Sequence, residues 1–429
     1  MENQFYSLNM NLRGVKQSAT LAINERSKEL RRQGKKIYGM GLGQSPFPIP
    51  QSVVDSLKMH AHEKDYLNVK GLPALRTAVA EFHIRKDMVD IHPENVLIGP
   101  GSKELMFLLQ LVFYGEILLP SPSWVSYHPQ AHILGRHVKF IHTTFDNKWR
   151  LSPDQIFRAC TEDRDESRPR LIILNYPSNP DGGSYSDDSL REIAEIARKF
   201  NIILLSDEIY GQLNFKGEHI SVARYYPEGT IISSGLSKWC GAGGWRLGTF
   251  SFPPQLNWLM EAMSAAASET YTSVSAPIQY AAVRAFKCGI NIERYLWRVR
   301  KILQRLAEDS VEVLQKGGIK VHMPDGAFYL FIDCSTFTEQ LHIRGILNSS
   351  DMCEQLLNDT GVAILPGSAF NRPANEFTAR LAIVNFDGAK ALAKCETIPL
   401  DQQLDESFTR TYCKQVIDGV KKIVKWMHH

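Results

Sequence analysis

Four hundred and twenty-nine residues are too many for one small core, so two domains, or a large domain with a smaller one appended, are expected. A composition of 44% hydrophobic and 22% charged residues is that of an ordinary globular chain. Lys+Arg at 49 against Asp+Glu at 46 gives a net charge of +3 without a block of like charges, which gives no footing for nucleic acid or a polybasic membrane surface.

In chain order, the N-terminus lacks an apolar signal core, and residues 15–34 read as a charged amphipathic helix ending at Gly34. A first strand follows at 37–42. Short apolar runs at 96–99, 117–120, 171–175, 202–207 and 231–234 read as strands that alternate with helical patterns, the signature of a mostly parallel sheet covered by helices. Between the third and fourth of these, Ser186 caps a helix whose Asp187 and Asp188 suit its positive end. Its Leu190, Ile193, Ala194 and Ala197 make one apolar stripe. Asn175 and Asp207 therefore end strands joined by a right-handed crossover, where open α/β sheets place ligands. A long helix over 292–316, a strand at 327–332, a helix near 351–357 and a strand at 380–384 complete a second unit with the N-terminal flank. The most apolar stretch, 105–114, is about half the ~20 residues that span a bilayer. Seven scattered cysteines without a CxxC pair argue against a disulfide framework or a zinc site. The expectation is a cytoplasmic enzyme with reduced thiols and no metal.

Three segments carry chemistry. GLSKWCGAGGWRLG (235–248) sets a lysine among small residues after a strand, with an arginine eight positions on; alone it reads more readily as a solvated surface pair. NYPSNPDGG (175–183) is by itself turn chemistry after a buried strand. SDEIY (206–210) ends the next strand with a carboxylate that elsewhere serves as a helix cap or surface charge. Together, in this order on adjacent strand ends, they resemble the class I/II pyridoxal-phosphate (PLP) dependent aminotransferases of fold type I. The lysine signature is complete from Gly235 to Gly248, and the N-x-P-x-N-P-x-G segment is present as Asn175, Pro177, Asn179, Pro180 and Gly182. DYLNVKGLPALR (65–76), GPGSKEL (99–105), PSPSWVSY (120–127), GAFYLF (326–331), LPGSAF (365–370) and ARLAIV (379–384) extend the resemblance over nearly the whole chain. KQSATLAINERSKELRRQG (16–34) is similar to that of bacterial aspartate/prephenate-type members.

The resemblance implies an α/β fold: a large PLP-binding domain with a mainly parallel sheet sandwiched by helices, plus a smaller α+β domain built from both chain ends. The expected division is 1–50, the N-terminal arm and part of the small domain; 51–294, the large domain; and 295–429, the C-terminal small domain. It implies Lys238 as Schiff-base lysine and general base, and Asp207 as partner of the pyridine nitrogen, which makes the ring an electron sink. Tyr210 and Asn179 would bond the ring's phenolic oxygen, Trp124 would stack on the ring, and Tyr127 would support Asp207. Gly101, Ser102 and Lys103 open a helix whose N–H groups and dipole face the phosphate, with Arg246 adding a guanidinium contact. Tyr66 would reach the phosphate of a neighbouring subunit, implying a homodimer with shared sites. Arg380 would anchor the substrate α-carboxylate, with Asn179 and the backbone amide of Gly43 beside it.

The chain departs from the pattern at two positions. Gly235 replaces a phosphate-binding serine, for which Ser234 or Ser237 is the substitute. Asp181 stands where threonine is usual, in a turn it still suits. Lys103 receives a distal carboxylate of the substrate, or only balances phosphate charge or points to solvent. The implied activity is ping-pong transfer of an α-amino group from an acidic or aromatic donor, aspartate first, to a 2-oxo acid such as 2-oxoglutarate. A carbon–sulfur β-lyase keeps the same core residues and is the alternative, and a non-catalytic ligand-sensing domain is a third reading.

Overall fold

In the computed structural model, which describes residues 9–15, 17–162 and 168–429, the apolar runs in the middle of the chain assemble into one large sheet. Residues 1–8, which begin the stretch read above for a signal core, and Lys16, the first residue of the 16–34 segment, lie outside the described residues. In chain order the strands are β1 (Tyr38–Gly39), β2 (Val96–Gly99), β3 (Glu116–Ser121), β4 (Val138–His142), β5 (Arg170–Asn175), β6 (Ile203–Asp207), β7 (Thr230–Gly235), β8 (Gly248–Ser251), β9 (Tyr329–Asp333), β10 (Val362–Ala363), β11 (Leu365–Pro366) and β12 (Thr378–Ala382).

The large sheet has the order β2-β8-β7-β6-β5-β3-β4. Every pairing in it is parallel except the two that β8 makes with β2 and β7. Its central strands read as continuous apolar runs because both faces are covered. Leu171, Ile173 and Leu205 pack on one side against the helices Ser102–Val112 and Asn257–Ser268. Ile172, Leu174 and Leu204 pack on the other against Pro153–Thr161 and Asp187–Lys199. The latter helix starts as its sequence dictates: the Ser186 side chain accepts from the Ser189 N–H, and Leu190, Ile193, Ala194 and Ala197 are buried. Strands β4 and β8 escaped the sequence pattern. β4 is a half-exposed edge strand, and β8 is four residues long, two of them Thr249 and Ser251.

The second sheet, β11-β12-β9, is antiparallel, and β1 pairs with β10 in parallel. The strand expected at 37–42 shortens to two residues because the chain leaves the ladder. Met40 still donates to Ala363 O at 2.9 Å and accepts from Ala382 N at 2.7 Å, after which residues 41–48 cross toward the large sheet. The N-terminal helix is Ala19–Arg32, shorter than the 15–34 pattern. The long helix is Ile290–Lys316, so the boundary expected at 294/295 falls inside it. Against it lie the helices Gly388–Glu396, Glu406–Tyr412 and Lys414–Met427. Asp309 of the long helix accepts the Thr409 hydroxyl, and the Lys301 ammonium donates to Leu400 O at 3.3 Å. No helix among the described residues is long and apolar enough to cross a membrane.

Candidate active site

The carboxyl ends of β5, β6 and β7 lie side by side, with Asn175 opposite Asp207 and Asp207 opposite Ser233 in register. Asp207 is buried, and Tyr127 Oη donates to its Oδ2 at 2.5 Å while Ser233 Oγ donates to Oδ1 at 3.3 Å. Burial pushes the Asp207 carboxyl up to about 6, against the pull of those donors, of the Ile209 N–H and of Lys238. Asn175 stitches the neighbouring turn to this strand: its Nδ2 donates to Asp207 O at 2.8 Å, and its Oδ1 accepts from Asn179 N at 2.7 Å. On the opposite face, the Glu208 carboxylate accepts from Ser206 Oγ at 2.7 Å, Ser221 Oγ at 2.5 Å and His219 Nε2 at 2.9 Å. These contacts fix the end of the strand from behind.

β7 and β8 are joined by the loop 236–247, whose ends meet at the Gly235–Gly248 pair. Inside it, Lys238 Nζ donates to Gly43 O at 2.9 Å and lies 5.5 Å from the Tyr210 ring centroid. Tyr210 Oη and Tyr329 Oη are 2.7 Å apart. A Cβ on Gly43 would overlap the Tyr329 hydroxyl, so the absence of a side chain lets these segments close up. At the far end of the loop, Arg246 donates to Gly243 O at 3.0 Å and Pro100 O at 3.3 Å. A Cβ on Gly101 would run into its guanidinium, and one on Gly248 would run into Ser102 N. The helix N-terminus and the arginine therefore meet only because these two positions are glycine. Gly101 spends its own N–H on Gly99 O at 2.7 Å, so the first-turn donors are those of Ser102 and Lys103, one fewer than expected from the sequence.

Lys238, Asp207, Tyr210, Asn179, Ser102, Lys103, Trp124, Arg246 and Gly43 share one cavity of about 460 Å³. The Lys103 ammonium lies 5.2 Å from the Trp124 ring centroid. Burial, with the positive charges of Arg246 and Lys238, lowers its pKa. Arg380 is buried behind the cavity, donating from Nη1 to Asn179 Oδ1 at 2.9 Å and from Nη2 to Gly41 O, with Nε lacking a partner. Gly101 backs the cavity without lining it. Tyr66 is not brought to it at all, being 90% exposed.

Some residues of the constellation escaped the sequence reading. Ser233 and Tyr329 are reached only through the register of β6 with β7 and through the close approach at Gly43. Leu21, Leu42, Gln44 and Ile209 line the cavity without any residue-type signal. Ser237 lines it and Ser234 does not; Ser234 sits within β7 opposite Thr249. Gly235 could not carry a serine on this backbone, since a Cβ there would lie 2.7 Å from Leu247 O.

A lysine amine, a buried carboxylate and a guanidinium over a helix N-terminus, at the strand ends of a mainly parallel sheet, define a phosphate-cofactor enzyme. The chain belongs to the family of class I and II aminotransferases, whose family model matches residues 35–385. It is 32% identical over 367 residues to an aspartate aminotransferase of Bacillus sp. (strain YM-2), covering 83% of this chain and 90% of that one. It is 30% identical over 368 residues to an aspartate/prephenate aminotransferase of Thermus thermophilus, covering 85% and 91%. The solved structure of a Thermus thermophilus aspartate aminotransferase with maleate superposes with a TM-score of 0.82 at 27% identity, over 97% of this chain and 99% of that one. The protein is thus a PLP-dependent aminotransferase. Its residues fit the cofactor: a buried carboxylate pushed up to about 6 gains from a cationic ring nitrogen, and the two glycines clear a cradle for a phosphate.

Proposed function

We propose that the enzyme moves the α-amino group of an acidic or aromatic amino acid, aspartate foremost, to a 2-oxo acid such as 2-oxoglutarate by a ping-pong mechanism. Bound PLP supplies the electron sink that acidifies the substrate's α-hydrogen and carries the amino group between half-reactions. Lys238 would hold the cofactor through Nζ, and its amine would move the proton at the substrate Cα. Asp207, held by Tyr127 and Ser233, keeps the ring nitrogen protonated. Asn179 and Tyr210 would hydrogen-bond the ring's phenolic oxygen, and Trp124 would offer it a flat face. Ser102, Lys103, Arg246 and the turn at Gly101 hold the phosphate. Ser237, which lines the cavity, supports a role as the serine that Gly235 cannot supply. Arg380, with its unpartnered Nε, takes the α-carboxylate together with Asn179 and the amide of Gly43.

The division 1–50, 51–294 and 295–429 is proposed for the domains, with the last boundary inside the helix that spans both. A homodimer with shared sites is supported by the 90% exposure of Tyr66, which no element among the described residues covers. A reducing, cytoplasmic setting is supported by seven free cysteines, six of them buried.

The observation that carries the acidic donor is Lys103, a further cation facing the cavity beside Arg246 and Lys238. A charge-assisted hydrogen bond to a distal carboxylate is worth roughly 1.5–3 kcal/mol, or ~10–150-fold in discrimination. Lys103→Ala should therefore lose kcat/KM for aspartate selectively against phenylalanine. An equal fall for both donors would make Lys103 a phosphate residue only.

A further inference from the structure

The turn 178–183, which carries Asn179, is closed on itself and gripped from two sides. Ser178 N donates to Gly183 O at 2.9 Å and Gly182 N to Ser178 O at 2.8 Å. On one side, Asp325 N and Gly326 N both donate to Gly182 O, at 2.9 and 3.0 Å. On the other, Asp181 Oδ2 is ion-paired with Arg150 Nη2, the two side chains being 9% and 14% exposed. Gly183 makes room for that arginine, since a Cβ there would overlap Arg150 Nη2. Arg150 lies over the Tyr185 ring, 5.5 Å from its centroid, in a segment whose Trp149 packs edge-on against Phe331. Burial opposes the arginine's charge, but Asp181, Tyr185 and Asp325 outweigh it and raise the pKa.

Nothing in the proposed chemistry uses this pair, yet it costs desolvation of two charges. What it fixes is two residues from Asn179, whose Oδ1 is the acceptor for Arg380. We propose that Arg150 and Asp181 are positioning residues: their ion pair sets the 178–183 turn so that Asn179 holds Arg380 in register for the substrate's α-carboxylate. The inference rests on the reading of Asn179 and Arg380 given above.

The test uses the holoenzyme and two donors that differ only beyond the β-carbon, aspartate and phenylalanine, with maleate as a carboxylate probe. Arg150→Met strands a buried carboxylate and should lower the melting temperature. The double variant Arg150→Met/Asp181→Thr removes both charges and should recover it. If the pair positions Asn179, the double variant keeps kcat within about three-fold but raises KM for both donors alike by about ten-fold, and weakens maleate to a similar degree. A double variant with KM and maleate affinity within about two-fold of wild type would leave the pair a stabilising contact and overturn the proposal. Arg380→Lys is the control. If it raises KM while the double variant does not, only the positioning role falls. If Arg380→Lys leaves KM and maleate unchanged, the assignment of the α-carboxylate to Arg380 falls first.

Discussion

Asp207 is where the site's electrostatics are most exposed to measurement. Its folded pKa of about 6 lies above the ordinary aspartate value, chiefly because of burial. Folding of the cofactor-free chain therefore takes up a proton between pH ~4 and 6, and stability falls as pH rises through that window. A displacement of about two units corresponds to a destabilisation of about 3 kcal/mol, complete above pH ~6 and absent below pH ~4. In urea titrations of the apo forms, Asp207→Asn should gain on wild type by this order between pH 4 and pH 7; a difference independent of pH would refute the assignment. Gly43 offers a second test at the same scale. Gly43→Ala drives a methyl into the Tyr329 hydroxyl and breaks the 2.7 Å contact with Tyr210. A loss of about 1–3 kcal/mol is expected in thermal unfolding.

At the level of elements, the hairpin β7–loop–β8 holds both the amine and the guanidinium. A serine at 235 meets the Leu247 carbonyl, which belongs to the backbone and does not swing away. Gly235→Ser should thus lower stability by about 1–3 kcal/mol rather than improve cofactor binding. In cofactor titration of the apo protein, Ser237→Ala should weaken affinity by roughly 10–150-fold, whereas Ser234→Ala should leave it unchanged. This hairpin also marks the limit of what the chain discloses. Its lysine signature was readable only beside NYPSNPDGG and SDEIY, in that order on adjacent strand ends. The strands β2, β3, β5, β6 and β7 were readable because both their faces are apolar. β8 was not, since Gly248–Ser251 borrows its place from neighbours on either side. The same holds for Ser233, whose contact with Asp207 exists only through strand register, and for Arg150–Asp181, whose partners lie 31 residues apart with a crossover between. Asp181 read as a harmless turn residue because its partner was invisible.

For the whole molecule, the exposed Tyr66 turns the subunit arrangement into a kinetic question. In a heterodimer of a Lys238→Ala chain and a Tyr66→Phe chain, shared sites place both defects in one site and leave the other intact. Mixtures with verified subunit exchange should therefore exceed the summed activity of the two parents; additive activities would mean that Tyr66 serves no neighbouring site.

The tie of Met40 to both Ala363 and Ala382 has an evolutionary consequence. It hangs the Gly41–Gly43 strap and Arg380 on one framework, while Lys238 and Asp207 belong to the large sheet. On the proposed roles, Arg380 and the Gly43 amide grip the α-carboxylate from this framework, while Asn179 and Lys103 approach the substrate from the large domain. The groups that move its proton stay where they are. Substitutions in residues 19–46 and 365–384 can then change how the α-carboxylate is held, except at Gly43, whose carbonyl touches Lys238.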